Sequence, residues 1–195
     1  MNICLYGASS TELNELYIKA VEELGEKLGR AGHNMVYGGG ANGLMGAAAR
    51  GVVRGGGKVI GVAPTFFQVD GVLFEECSEM VYTETMRQRK QIMEERADAF
   101  VAVPGGIGTF DELFEILSLK QLGRHNKPVV IYNINGYYDG LVSMLDNAVE
   151  QCFMTEKSRQ LAEIVSTPEE FLDYITNYKG DVYDFSVLKK VKSEN

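Results

Sequence analysis

Three times along this chain a short apolar run stops on a cluster of small residues, and a segment of helical periodicity follows. Residues 2–6 run into Gly7-Ala8-Ser9-Ser10, residues 34–37 into Gly38-Gly39-Gly40, and residues 99–103 into Pro104-Gly105-Gly106. Uninterrupted apolar runs of this length suit strands covered on both faces, which is the situation of parallel strands flanked by helices. The expected fold is therefore α/β: a doubly wound, mostly parallel Rossmann-like sheet with helices on both faces. In such sheets ligands sit outside the carboxyl ends of the strands, and the three glycine clusters all fall there.

The rest of the pattern agrees. Leu13, Leu16, Tyr17, Ala20, Val21, Leu24 and Leu28 recur at spacings of three and four, and Gly32 ends that helix. Further helices are expected over residues 44–53, 86–96, 110–122, 138–152 and 169–178, with strands over 58–63, 80–82, 128–132 and 163–165. Periodicity is lost between 64 and 79, which reads as a long functional loop. At 195 residues the chain fits one domain, expected over 1–180, followed by a polar, frayed tail over 181–195.

Bulk properties narrow the functions. An apolar fraction of 45% with 24% charged residues is that of a globular protein. No stretch is long and apolar enough to span a membrane, and Met1 leads straight into a strand rather than a basic and then apolar leader, so a cytoplasmic location is expected. Cys4, Cys77 and Cys152 are widely spaced and form neither a disulfide framework nor a zinc knuckle. A net charge of −8 opposes binding to nucleic acid as a polymer. A small anion is different, because local donors hold it.

Gly38, Gly40 and Gly43 satisfy GxGxxG, yet they occupy the second strand-helix turn, and the next strand ends on Val62-Ala63-Pro64 without an acidic residue for a ribose hydroxyl. A dinucleotide site is disfavoured on that ground. A Walker loop also fails, since Val52 and Val59 occupy positions that require glycine and Ser or Thr. The stronger signal is Pro104-Gly105-Gly106-Ile107-Gly108-Thr109, where glycines let a ligand approach amides at a helix start. A tight connection with Thr109 as a simple N-cap remains the other reading of this turn.

Asp111 and Glu112 sit in the first turn of the helix expected there, where carboxylates also serve as capping charges. The preceding helix brings Arg89 and Lys90 to the same edge, so cations and a carboxylate would converge on a phosphate. Breaking an N-glycosidic bond builds positive charge on ribose, which a fixed carboxylate would stabilise.

Gly38 to Gly46, Met86-Arg87-Gln88-Arg89-Lys90 and Pro104 to Glu112 resemble, in order and spacing, the LOG ("lonely guy") family, the cytokinin riboside 5′-monophosphate phosphoribohydrolases. The likeness runs from Cys4 to about Cys152. It implies hydrolysis of a nucleoside 5′-monophosphate, AMP or an N6-modified AMP, to free base and ribose 5-phosphate by a homodimer that needs neither metal nor organic cofactor. Carried over, Arg89 and Glu112 are catalytic. Gly105, Gly106, Gly108 and Thr109 hold the phosphate with Lys90, Met86 lies near the base, and Gly39, Gly40 and Ser9 complete the binding site. Family members often bear a lysine decarboxylase label, but no pyridoxal-phosphate site is legible here. Arg87, Ile107 and Asp111 stand where plant members typically carry His, an aromatic residue and Glu, which bears on preference for the base.

Other residues read more plainly. His33 and His125 have no metal-ligand spacing. Ser10, like Ser9, serves either as a cap or as a ligand contact. Tyr137 and Tyr138 are expected to pack at a helix start rather than stack on a base, and Glu84 is a candidate for approaching the ribose. The rival function is a non-catalytic nucleotide-binding or carrier protein using the same pocket.

Overall fold

The computed structural model describes residues 1–180, so the expected tail at 181–195 lies outside the described residues. The chain opens with β1 (Asn2–Tyr6), α1 (Glu15–Arg30), β2 (Asn34–Tyr37), α2 (Gly43–Arg54) and β3 (Val59–Pro64). It continues through β4 (Glu79–Thr83), α3 (Met86–Arg96), β5 (Ala99–Ala102), α4 (Ile107–Gln121) and β6 (Val129–Tyr132). It then passes through α5 (Asp139–Glu150), α6 (Glu156–Arg159), β7 (Glu163–Val165) and α7 (Pro168–Asn177). The seven strands form one sheet in the order β4-β3-β2-β1-β5-β6-β7, and each pairing is parallel.

Side-chain alternation along the buried strands divides the core in two. Ile3, Leu5, Met35, Tyr37 and Val101 face α1, α2 and α7, where Leu24, Leu28, Val52 and Phe171 meet them. Cys4, Tyr6, Val36, Phe100 and Ile131 face the opposite layer, with Met93, Leu113 and Ile116 of α3 and α4. The strands read as continuous apolar runs because both faces are covered. Packing between α1 and α2 is close: a Cβ at Gly51 would stand 2.1 Å from the Glu22 carbonyl oxygen.

The chain winds outward from β1 to β4, then returns to place β5 against the other side of β1. The two connections leaving β1 and β5 therefore diverge to opposite faces and open a crevice at their carboxyl ends, the topological switch point where ligands bind in open α/β sheets. The Gly7 turn and the Pro104 turn meet there, with the Ala8 amide donating to the Pro104 carbonyl at 3.1 Å.

The stretch between β3 and β4 is a long loop, as expected, holding only a 3-10 turn at Thr65–Phe67 and a bridge from Gly40 to Leu73. Two other points differ from expectation. The helix expected from 110 begins at Ile107, since Ile107-Gly108-Thr109, assigned to the turn, belong to its first turn. A 3-10 turn at Ile134–Gly136 and α6 went unforeseen, each too short for periodicity to register.

Candidate active site

Each wall of the crevice is held by a local feature of the sequence. Gly43 takes φ +60°, and a Cβ there would stand 2.4 Å from the Ala8 carbonyl. That carbonyl in turn accepts from the amides of Leu44 and Met45 at 2.9 and 3.3 Å, which fixes the 7–10 loop over the start of α2. From below, the Tyr137 and Tyr138 hydroxyls donate to the carbonyls of Gly105 and Val103 at 2.5 and 2.8 Å. The tyrosine pair thus packs under the Pro104 turn, as expected, and carries it.

α4 opens on Gly106 as N-cap without a side-chain capping bond. Thr109 is the third residue inside the helix and 3% exposed, so it does not cap the helix as the plainer reading of this turn required. The first amides of α4 lack intrahelical acceptors and face the crevice, together with the positive end of the helix dipole. Cβ atoms at Gly106 and Gly108 would meet nothing within 4 Å, so packing does not demand glycine at either position. Their bareness leaves the amides open to an anion. Gly108→Val is expected to keep folding stability within about 0.5 kcal/mol, since Val is at least as good a helix former as Gly, while AMP binding weakens tenfold or more. Calorimetric titration beside a thermal melt checks both.

Glu112 and Asp111 lie one turn further on, past the first turn assumed from the sequence, so capping is not their role. Glu112 points into the crevice, 9% exposed, with one Oε1 3.4 Å from Nη2 of Arg89. Arg89 comes from α3, whose start is fixed by a reciprocal capping box between Thr85 and Gln88. Its guanidinium is 8% exposed; Nη1 points at the Met86 sulfur, 3.6 Å away, and the buried Nε donates to no group among the described residues. A buried donor without an acceptor costs about 1–3 kcal/mol, and here it faces the place a ligand would fill. Gly38 makes the room: a Cβ there would lie 1.8 Å from Arg89 Nη2.

Burial pushes the Glu112 carboxyl up to about 7, with Arg89 pulling the other way and Asp111 adding to the rise. A carboxyl raised in the folded state favours the protonated fold; the associated stability is complete below the unfolded value near 4.5 and is lost as pH climbs through about 7. At 1.36 kcal/mol per pH unit this is on the order of 3 kcal/mol. Glu112→Gln removes the titration, so its Tm relative to wild type is expected to rise by about 5–10 °C between pH 4 and pH 8. Parallel pH dependence of the two proteins in calorimetric melts would contradict it.

The crevice, about 380 Å³, is lined by Gly7, Ala8, Ser9, Ser10 and Met45 on one side and by Met86, Arg89, Gly106, Gly108, Thr109, Asp111 and Glu112 on the other. Ser9, Met86, Arg89, Gly106, Gly108, Thr109 and Glu112 are thus brought together. Gly40 lines an adjoining cavity. Gly105 lies beneath the turn, where a Cβ would collide with the Thr109 hydroxyl, and Gly39, at φ +77°, packs beside Met80. Lys90 is not aimed at the crevice: its Nζ pairs with Asp111 at 2.9 Å and Glu115 at 2.7 Å, because neighbours on a helix point about 100° apart. Glu84 lines a separate depression with Tyr82 and Gln91, away from Glu112. His125 bonds the Ile116 carbonyl at 2.9 Å. The Gly7 turn lies at the edge expected for it, whereas Gly38 and Met45, though inside the Gly38 to Gly46 run, had no individual role assigned from the sequence.

Fold and site together define a class: a Rossmann-like protein with an open helix N-terminus at the switch-point crevice and a buried carboxylate-guanidinium pair beside it. Comparison with known proteins makes this specific. Residues 45–175 match the family model described as possible lysine decarboxylase. The "probable cytokinin riboside 5′-monophosphate phosphoribohydrolase LOGL6" of Oryza sativa subsp. japonica is 40% identical over 176 residues, 90% of this chain and 70% of that protein. The "cytokinin riboside 5′-monophosphate phosphoribohydrolase LOG2" of Arabidopsis thaliana is 38% identical over 185 residues, 94% of this chain and 86% of that one. Among solved structures, the molybdenum cofactor carrier protein of Chlamydomonas reinhardtii superposes with a TM-score of 0.69 at 21% identity, covering 91% of this chain and 96% of its own, a likeness of fold. The chain belongs to the LOG family.

Proposed function

We propose that this protein hydrolyses the N-glycosidic bond of nucleoside 5′-monophosphates, AMP or N6-modified AMP, releasing the free base and ribose 5-phosphate. The observation that carries the reading is the placement of Glu112 three residues beyond Thr109 on one helix. Three residues of helix rise about 4.5 Å, comparable with the span from a 5′-phosphate to the anomeric carbon. A phosphate on the amides of Gly106, Gly108 and Thr109 therefore presents C1′ to the carboxylate.

As the bond from C1′ to the base lengthens, its electron pair leaves with the base and positive charge gathers on the ribose. The Glu112 carboxylate stabilises that charge and accepts a proton from the water that attacks C1′. Arg89 holds the carboxylate in place and has a free donor for the nucleotide. Because the ionised form of Glu112 acts, kcat/KM is expected to rise with pH and level off above about 7. A flat profile between pH 5.5 and 8.5 would count against the assignment.

The direct test incubates purified protein with AMP and with N6-isopentenyl-AMP, without added metal, and follows base and ribose 5-phosphate by chromatography. Equal amounts of both products are expected. Binding of AMP without any release of base would favour the carrier reading instead.

We place the protein in the cytoplasm as a homodimer. Among the described residues, no helix is long and apolar enough to cross a membrane, and Cys4, Cys77 and Cys152 are unpaired. In α5 no residue is buried although the helix is amphipathic, and Met144 and Phe153 are 53% and 89% exposed. A second copy would cover that face; a monomeric mass by light scattering would remove this reading.

A further inference from the structure

α3 and α4, which carry Arg89 and Glu112, are tied to each other at two levels. The inner tie is the pair of Arg89 and Glu112, slack at 3.4 Å between Nη2 and Oε1. The outer tie is Lys90, whose Nζ stands 2.9 Å from an Asp111 oxygen and 2.7 Å from a Glu115 oxygen. Asp111 and Glu115 are one helical turn apart on α4, so they share a face and a single ammonium reaches both. The two levels follow from register: Lys90 succeeds Arg89 as Asp111 precedes Glu112, and successive helix positions point about 100° apart. Lys90 and Glu115 accordingly line a shallow depression outside the crevice with Ile107 and Phe114, while Asp111 lines both.

Resting on the reading of the crevice as a phosphoribohydrolase site, we propose that Lys90 is a positioning residue: without touching the nucleotide, it braces α3 against α4 so that Arg89 stays opposite Glu112, and it offsets the charge of the two outer carboxylates. A guanidinium that exchanges its contacts when substrate enters cannot also set the spacing of the walls, whereas an ammonium outside the crevice can. The brace also acts on the charge of Glu112. Burial is the chief cause that raises this carboxyl to about 7; Arg89 and Lys90 on α3 pull it down, and Asp111 and Glu115 on α4 push it up. On β1, the Cys4 thiol and the Tyr6 hydroxyl are themselves pushed up by burial and stay uncharged. Removing the Lys90 charge therefore unmasks two carboxylates, and removing the Glu115 charge leaves the cation in excess. The two changes displace the titration of Glu112 in opposite directions, which a mere loss of packing would not do.

The test measures kcat/KM for base release from AMP across the pH range in wild type, Lys90→Met, Lys90→Arg and Glu115→Gln. Independently of turnover, carbon-13 NMR of protein labelled at its glutamate carboxyls follows the Glu112 resonance, identified by its absence in Glu112→Gln, with no nucleotide added. Lys90→Met is expected to move the acidic limb up by about one pH unit, lowering kcat/KM about tenfold at pH 6 and less than about threefold at pH 9.5. Lys90→Arg keeps both ion pairs and should restore the wild-type limb. Glu115→Gln, at a side chain 42% exposed, is expected to move the limb down by about half a unit and decides the matter if Lys90→Met does not fold. The NMR titrations should show the same displacements. A raised KM for AMP in Lys90→Met, with the limb and the NMR titration both unmoved, would make Lys90 a phosphate ligand and overturn the brace while leaving hydrolysis intact. No base release by wild type would overturn the hydrolase reading, and the NMR titrations of the variants then decide the brace alone.

Discussion

Glu112→Gln is expected to lower kcat by a thousandfold or more while AMP still binds within about tenfold of wild type. Glutamine keeps the shape of the side chain beside Arg89 but carries no charge to oppose the cation developing on ribose. Opposite unit charges 4 Å apart at an effective dielectric of 20 attract by about 4 kcal/mol, which is roughly a thousandfold in rate. Loss of general-base assistance to the attacking water adds to this. Binding survives because the phosphate rests on amides at the other end of the same turn, above Gly106 and Gly108, untouched by the substitution. Single-turnover kinetics on saturated enzyme separate the two effects. Weakened binding with normal turnover of the bound nucleotide would reverse the roles of Glu112 and the α4 amides, and with them the proposed mechanism.

The second large effect is expected from adding one methyl group. Gly38→Ala places a Cβ 1.8 Å from Nη2 and 2.8 Å from Cζ of Arg89. The guanidinium is the movable end of a long side chain, so it yields and the strand does not. Arg89 would then lose its contact with Glu112, and kcat/KM should fall a hundredfold or more, close to the loss expected for Arg89→Ala. Circular dichroism should show the fold retained. In an Arg89→Ala background the alanine at position 38 should cost little further, because the group it meets most closely has gone; independent sites would instead add their effects. Additive losses in this double-mutant cycle, or full activity in Gly38→Ala, would show that Arg89 is not used where it stands.

Much of the architecture was legible because burial on both faces leaves a one-dimensional trace. Apolar runs such as Ala99–Ala102 and Val129–Tyr132 can only be central strands, and the glycines that follow them mark where the backbone must turn. Met86–Arg96 and Glu163–Val165 were placed at their observed bounds. The gathering of Ser9, Arg89, Gly106, Thr109 and Glu112 was also foreseeable, since every parallel strand delivers its following turn to one edge. Lys90 was not: sequence adjacency to Arg89 suggested a shared target, whereas the turn of the helix sends it to Asp111 and Glu115.

By itself, the sequence determined the doubly wound parallel sheet, the edge where the glycine turns gather and the identity of the carboxylate and guanidinium that meet there. Periodicity and glycine placement are local properties, so they survive in the order of residues. Only the tertiary structure decided that Gly38 clears the space for Arg89, that Tyr137 and Tyr138 support the Pro104 turn, and that burial lifts Glu112 to about 7. Those properties depend on distances between residues far apart in the chain, and on the exclusion of water between them, neither of which a linear pattern records.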